Sequence, residues 1–377
     1  MASHSARAGR PVSSQSPGHR IDSGAVIKYL GSKRVLLPLI LGQVDVLARV
    51  ATADGRPVRT VLDLFSGTAR VGHALKARGY RVHANDHNTY AATLATCYVQ
   101  TDRRRWRERA ERLIAELDTL PGAPGWFTET FCVRSRYLQP ANGARVDAIR
   151  ERIASLALEP ELEAIALASL MEAADRVDST TGVQMAYLKR WAPRSHQPLR
   201  LHVPALLDGE GSASCLAARE AAGRWPADLA YLDPPYNQHS YLGNYHVWES
   251  LVRWDKPVVY GVAMKRTDVR ERPSPFNRRG AIEPAFRAVL EAVRARYLLV
   301  SFNDEGYLPL ATLRALLEER GAVRAVEVRH RRYIGHRIGI YNPQGEKVGT
   351  PGPGTNKECL FLVDCGMVGA ALRISMP

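Results

Sequence analysis

The chain is expected to fold as an α/β protein: a doubly wound, mostly parallel sheet with an inserted, mainly helical lobe. Three observations predict this. Short apolar runs at Val61–Leu64, Arg81–Asn85 and Leu229–Leu232 read as buried strands. Each then breaks into a turn, and stretches of helical spacing follow the turns; strands joined through helices lie parallel. Phe65, Asp86 and Asp233 fall at the strand ends, where ligands gather in such sheets, so three sites far apart in sequence are expected to converge on one cleft.

Taken in chain order, residues 1–24 are rich in Ser, Arg, Gly, Pro and His, with almost no acids or aliphatics, and are expected to be a disordered tail. From Ile27 to about Val99 strand and helix alternate, with one helix after Ser66 and another after Asn88. Between residues 101 and 226 the pattern changes. Helical apolar spacing appears at Leu113–Leu117, from Ile149 to Met171 and near Met185–Leu188, interrupted by segments such as Pro121-Gly122-Ala123-Pro124-Gly125. This stretch is the inserted lobe. Alternation then resumes with a strand to Asp233, a helix over Tyr245–Trp254, a strand at Tyr297–Ser301, a helix over Leu310–Glu319, and strands at Val323–Val328 and Leu360–Val363. Residues 25–100 and 227–377 are therefore expected to form one domain that residues 101–226 interrupt.

Tyr231-Leu232-Asp233-Pro234-Pro235-Tyr236 carries the most chemistry. At about 5% usage per residue type, Asp-Pro-Pro-Tyr arises by chance in roughly one chain of this length in several hundred, so it calls for a mechanism. Proline has no N–H for a ladder, so the strand must end there with free carbonyls beside the Asp233 carboxylate. These acceptors suit an amine with two N–H donors, such as the 6-amino group of adenine, and Tyr236 offers a face for an unstacked base. Upstream, Val61 to Gly72 has the form of a nucleotide-cofactor loop: a strand, a small-residue turn through Ser66-Gly67-Thr68-Ala69, and the first turn of a helix. Asp86, about 20 residues beyond that turn, stands where an acidic side chain takes ribose hydroxyls.

In their order along the chain these motifs resemble the Dam-like DNA adenine-N6 methyltransferases. Ile27-Lys28-Tyr29-Leu30-Gly31-Ser32-Lys33-Arg34 is similar to that family's aromatic-Gly-Gly-Lys segment, with Tyr29 as the aromatic, Ser32 in place of a glycine and Lys33 matching the lysine. Phe65-Ser66-Gly67-Thr68 resembles the Phe-x-Gly cofactor loop, and Asp233 to Tyr236 the catalytic tetrapeptide. Weaker similarity continues through Asn244-Tyr245-His246, Ser301 to Gly306 and Glu358-Cys359-Leu360-Phe361-Leu362, so that it covers about residues 26–365. One departure is Ala69, which stands where the family usually has a second glycine.

The resemblance implies a Rossmann-like methyltransferase fold, S-adenosylmethionine as cofactor and a flipped-out adenine in DNA as substrate. It implies Asp233, Pro234, Pro235 and Tyr236 as catalytic residues. Tyr29, Gly31, Lys33, Asp63, Phe65, Gly67, Thr68, Asp86 and Asp233 are the implied cofactor-binding set. In it Tyr29 and Phe65 flank the cofactor, Asp86 holds its ribose, Lys33 meets its carboxylate and Asp63 orients the loop. No metal is needed, because the sulfonium carries the leaving charge. Cytosine-N4 methylation, RNA adenine methylation and an inactive nucleic-acid-binding module of the same fold are the alternatives.

Composition agrees. The 377 residues are 45% hydrophobic and carry a formal charge of +14, with a pI near 9.8, which implies a polyanionic partner. Basic runs flanked by aromatics, Arg103–Arg107 around Trp106 and Arg329–Arg332 before Tyr333, fit nucleic acid. Within the lobe, which the resemblance makes the target-recognition part, Thr180, Thr181, Lys189 and Arg190 are candidate DNA contacts; Lys265 and Arg266 open a second candidate stretch that runs to Arg279. Five scattered cysteines without Cys-x-x-Cys spacing argue against a disulfide framework or a zinc site. The absence of a bilayer-length apolar run and of a signal peptide leads us to expect a cytoplasmic protein. The implied partners are double-stranded DNA and, in a restriction–modification setting, a cognate restriction enzyme; an asymmetric target suits a monomer.

Overall fold

Seven strands form one sheet in a computed structural model that describes residues 27–331, 340–341, 347–349 and 355–366. The strands are β1 (Thr60–Asp63), β2 (Arg81–Asn85), β3 (Gly211–Ser214), β4 (Ala227–Leu232), β5 (Ala295–Asn303), β6 (Ala322–Arg331) and β7 (Thr355–Asp364). Their spatial order is β3-β2-β1-β4-β5-β7-β6. From β3 to β5 every pairing is parallel, whereas β7 runs antiparallel between β5 and β6. Strand order reverses between β1 and β4, which makes their carboxyl ends the switch point of a doubly wound sheet. The expected fold class is the one observed.

The strands alternate their buried side chains between two cores. Val61, Leu229, Tyr231, Leu299 and Leu362 face one layer; Leu62, Ala230, Leu232, Val300 and Phe361 face the other. The first layer holds α1 (Leu37–Ala53), α2 (Arg70–Ala77) and α3 (Thr89–Ala95), together with α4 (Arg103–Asp118), α5 (Pro140–Ser155) and α6 (Pro160–Arg176) of the lobe. The second holds α7 (Ala218–Arg224), α9 (Ile282–Ala292) and α10 (Leu310–Glu318), while α8 (His246–Arg253) joins the first. The lobe helices thus share one continuous core with the sheet and buttress a face of it.

Three features differ from the expected layout. The apolar stretch from Ile149 to Met171 is two helices, parted where Ala157 takes a φ of 44° and Pro160 restarts the next turn. Met185–Leu188 is irregular rather than helical, because the stretch is held from outside: Gln184 N–H donates to Asn244 O and Leu188 N–H to Ser179 O. Gly211–Ser214, within the stretch expected to be mainly helical, is a strand of the sheet paired with β2. Glycine is required there, since a Cβ on Gly211 would lie 2.5 Å from the Val99 carbonyl oxygen. The tail at residues 1–24 and, in the second basic run, Arg332 and Tyr333 lie outside the described residues. No helix among the described residues is long and apolar enough to cross a membrane.

Candidate active site

Strand β4 ends at Leu232, and Asp233-Pro234-Pro235-Tyr236 leaves the sheet as an irregular segment, as two prolines require. The Asp233 carboxylate does not stand alone. Lys33 Nζ lies 3.1 Å from Asp233 Oδ1 and 2.7 Å from Glu358 Oε1. Glu358 comes from β7, whose antiparallel course puts its start beside the carboxyl end of β5, opposite Asn303. Ser301 Oγ donates to Glu358 Oε1 at 2.8 Å and Asn303 Nδ2 to Oε2 at 3.3 Å, from alternate positions on one face of β5.

This wiring sets the charges. Burial pushes Asp233 up and Lys33 draws it back, leaving it at about 6. For Glu358 burial is outweighed by Lys33, Ser301 and Asn303, which hold it below the usual carboxylate range. Burial works against the Lys33 ammonium, but Asp233 and Glu358 more than offset it and keep Lys33 charged. Lys33 is therefore already occupied by two carboxylates of its own chain.

The small-residue turn joins the other two strand ends. Gly67 N–H donates to Asp86 Oδ2 at 3.0 Å, and Asp86 Oδ1 accepts from Asn88 N–H at 2.9 Å. Asp63 Oδ2 accepts from Gly72 N–H at 2.9 Å, tying β1 to α2, while its other oxygen is buried without a partner. Burial raises Asp63 to about 7 despite the Gly72 bond, and raises Asp86 as well. Gly67 has a φ of 51°, and a Cβ there would lie 3.2 Å from the Tyr29 ring. Ala69 also takes a left-handed φ of 59° and is fully buried, so the residue in place of the family glycine holds a conformation that glycine adopts with less strain.

Above these groups lies a cavity of about 480 Å³. All nine expected cofactor-binding residues line it: Tyr29, Gly31, Lys33, Asp63, Phe65, Gly67, Thr68, Asp86 and Asp233. Its aromatic wall is built from both ends of the chain. Tyr29 stacks on Tyr241 and Tyr245 with centroid separations of 5.0 and 4.7 Å, and Phe65 meets Phe276 edge-on at 5.2 Å. Of the tetrapeptide, Asp233 and Pro235 reach the lining; Pro234 is buried, and Tyr236 lies against Phe302 at 5.6 Å.

The expected DNA contacts are dispersed. Thr181, Lys189 and Arg190 are exposed on the irregular segment of the lobe and Lys265 is half-buried, but Thr180 is buried against Asp178. Arg266 is buried to 1% exposure, with Asp255 at 2.7 Å and Asp268 at 3.0 Å. Its guanidinium is an internal strut, which corrects its assignment to the DNA face. In the first basic run Trp106 is buried beneath Arg105 and Arg109, so it offers no face for stacking.

Sequence reasoning gave Glu358, Ser301, Asn303 and Tyr241 no role, and Phe276 only a place in the second candidate DNA-contact stretch. Glu358 had a usable signal: a lone acid opening the otherwise apolar run Cys359–Val363. Ser301 and Asn303 had none, because their meaning comes from pairing across the sheet, and Tyr241 and Phe276 take theirs from ring contacts with residues far away in the chain.

The family model for D12 class N6 adenine-specific DNA methyltransferases matches residues 29–315. The chain is 28% identical over 319 residues to the type II methyltransferase M.NlaIII of Neisseria lactamica, covering 81% of this chain and 92% of that protein. It is 29% identical over 319 residues to the type II methyltransferase M.CviAII of Paramecium bursaria Chlorella virus 1, with the same coverage of 81% and 92%. Against the modification methylase StsI of Streptococcus sanguinis it is 28% identical over 327 residues, 81% of this chain but only 49% of that larger protein.

Proposed function

The chain belongs to the D12 class of N6 adenine-specific DNA methyltransferases, and from that premise we propose that it methylates adenine within a specific site of double-stranded DNA, using S-adenosylmethionine, as the modification half of a restriction–modification pair. The observation that carries the site assignment is the meeting of Asp233, held by Lys33, with the Asp86–Gly67 turn in one cavity.

The residues present fit such a donor. Bound there, S-adenosylmethionine would supply a methyl group on a positively charged sulfur. Its nucleoside needs an acceptor for ribose hydroxyls, and Asp86 Oδ2 keeps a lone pair free after the bonds from Gly67 N–H and from the backbone and side chain of Asn88. Its adenine needs apolar walls, for which Phe65 and Phe276 are suited. The close approach of Gly67 to Tyr29 leaves no room for a side chain at the turn, which keeps backbone exposed to the cavity.

Adenine N6 is a poor nucleophile because its lone pair is delocalised into the ring, and in a duplex it is paired and out of reach, so the base must leave the stack. Asp233 and the Pro234 carbonyl then accept the two amine hydrogens, which localises the lone pair on nitrogen and aims it at the methyl. Tyr236 supplies a stacking face. As the N–C bond forms the amine becomes strongly acidic, and Asp233, at about 6, can take the released proton at that stage. Asp233 is thus an acceptor first and a proton sink second, with positioning supplying much of the rate.

The test is transfer of labelled methyl to mixed genomic DNA, followed by nucleoside analysis. Label in 6-methyladenine that disappears in Asp233→Ala, with DNA binding retained, is the expected outcome. Label in 4-methylcytosine would move the substrate to cytosine, and activity surviving in Asp233→Ala would refute the mechanism.

A further inference from the structure

The cavity is lined by several cations whose charges are differently satisfied. Lys33 is spent on Asp233 and Glu358, and Arg272 lies 3.6 Å from Glu249 and 3.8 Å from Asp268. Arg219 is exposed to solvent. Arg70, the first residue of α2, is different. It lines the cavity with its Nε buried and without an acceptor, and no carboxylate pairs with it among the described residues. Arg70 is half-buried, and its one desolvated donor without an acceptor is costly. Burial, and then the nearby charge of Arg34, lower its pKa, as a half-buried cation without a counter-ion should behave.

We propose that Arg70 receives the carboxylate of the donor's amino-acid end, so that this corner of the cavity is a subsite for an α-amino-acid head group. The proposal rests on the S-adenosylmethionine reading given above. Three arguments support it. Lys33 cannot fill the role cheaply, because a third carboxylate would crowd an ammonium already shared by two. Arg70 sits three residues beyond Gly67, whose N–H is fixed on Asp86, so it lines the same cavity as the ribose acceptor. A DNA phosphate is the other oxyanion that a guanidinium takes, but Arg70 is half-buried and lines the cavity; the exposed Arg34 next door suits a phosphate better.

The experiment is calorimetric titration of the full chain with S-adenosylhomocysteine and with 5′-methylthioadenosine, which shares the nucleoside and thioether but lacks the amino acid. Arg70→Gln should weaken S-adenosylhomocysteine on the order of 10- to 100-fold, the worth of a charged hydrogen-bonded contact. It should leave methylthioadenosine unchanged, which also reports an intact fold. Arg70→Lys should fall between the two, and Arg34→Gln should weaken binding far less than Arg70→Gln. Wild-type preference for S-adenosylhomocysteine surviving in Arg70→Gln overturns the assignment. So does a loss confined to duplex DNA binding, which would identify a phosphate contact. If the wild-type chain bound neither ligand, the cofactor reading itself would fail, and that outcome is distinct from either of the others.

Discussion

Replacing Lys33 by methionine should move the acid limb of the pH–rate profile upward, and the wiring of the site says by how much. Asp233 accepts amine hydrogens only as a carboxylate, so activity rises as pH passes its pKa, at about 6 in the intact protein. At 3.1 Å and an effective dielectric of about 20, a unit charge is worth roughly 5 kcal/mol. Solvent at the cavity mouth screens part of that, since the Asp233 side chain keeps 19% of its exposure. A shift of about one to three pH units is the realistic range for losing one such partner. Two facing carboxylates would then compete for a proton. Glu358 retains its bonds to Ser301 and Asn303, so Asp233 is the one that takes it. The assay is kcat/KM for methyl transfer to DNA between about pH 5 and 10, which reports the free enzyme's ionisations. Lys33→Met should lose about tenfold or more near pH 7 and recover on the alkaline side. Glu358→Gln removes a negative neighbour and should shift the limb the other way, below its wild-type position. Both variants titrating with the wild-type limb would refute the assignment of that limb to Asp233.

Other expectations follow from single residues. Ala69→Gly relieves a left-handed alanine but adds freedom to the unfolded chain, and should stabilise by about 0.5–1 kcal/mol, read as a higher denaturant midpoint at unchanged slope. Asp63 holds a proton in the folded state up to about pH 7 against an ordinary value of 3.8, so its contribution to stability is fully present below pH 3.8 and is lost as pH rises from there to about 7. Chemical unfolding of wild type and Asp63→Asn across that window should diverge by up to about 4 kcal/mol, the variant gaining on the wild type with rising pH; parallel curves would contradict the burial argument. Arg266→Gln should cost about 1–3 kcal/mol by removing the buried guanidinium's bonds to Asp255 and Asp268, both of which Arg253 continues to pair, whereas joint substitution of Lys189 and Arg190 by glutamine should leave stability intact and reduce the salt dependence of DNA binding.

What the chain determined by itself was whatever rests on neighbours in sequence. Apolar runs broken by Pro234-Pro235 or by Ser66-Gly67-Thr68 specify where strands stop, because a missing N–H or a small-residue turn acts within a few residues. The strand ends then follow, and with them Asp63, Asp86 and Asp233 at one edge, since parallel strands joined by helices can only present their carboxyl ends together. All nine residues expected from the turn, the strand ends and the family resemblance line one cavity. Local logic did not find β3, whose Gly-Ser-Ala-Ser has no apolar signal and is a strand only because β2 has a free edge and the Val99 carbonyl leaves room for nothing larger than glycine. Nor did it find the charge state of the site. Lys33, Asp233 and Glu358 are 200 and 125 residues apart along the chain and meet within 3.1 Å because β7 runs against its neighbours. Lys33 and Arg266 look available in sequence and are paired with carboxylates in space, while Arg70 looks like any helix-opening arginine and lines the cavity with no carboxylate paired to it among the described residues. Secondary structure and turns are local decisions that a sequence records directly. Which charges neutralise one another is decided by the fold, because in a low-dielectric interior the nearest partner sets the state of a group, and distance along the chain carries no information about who that partner is.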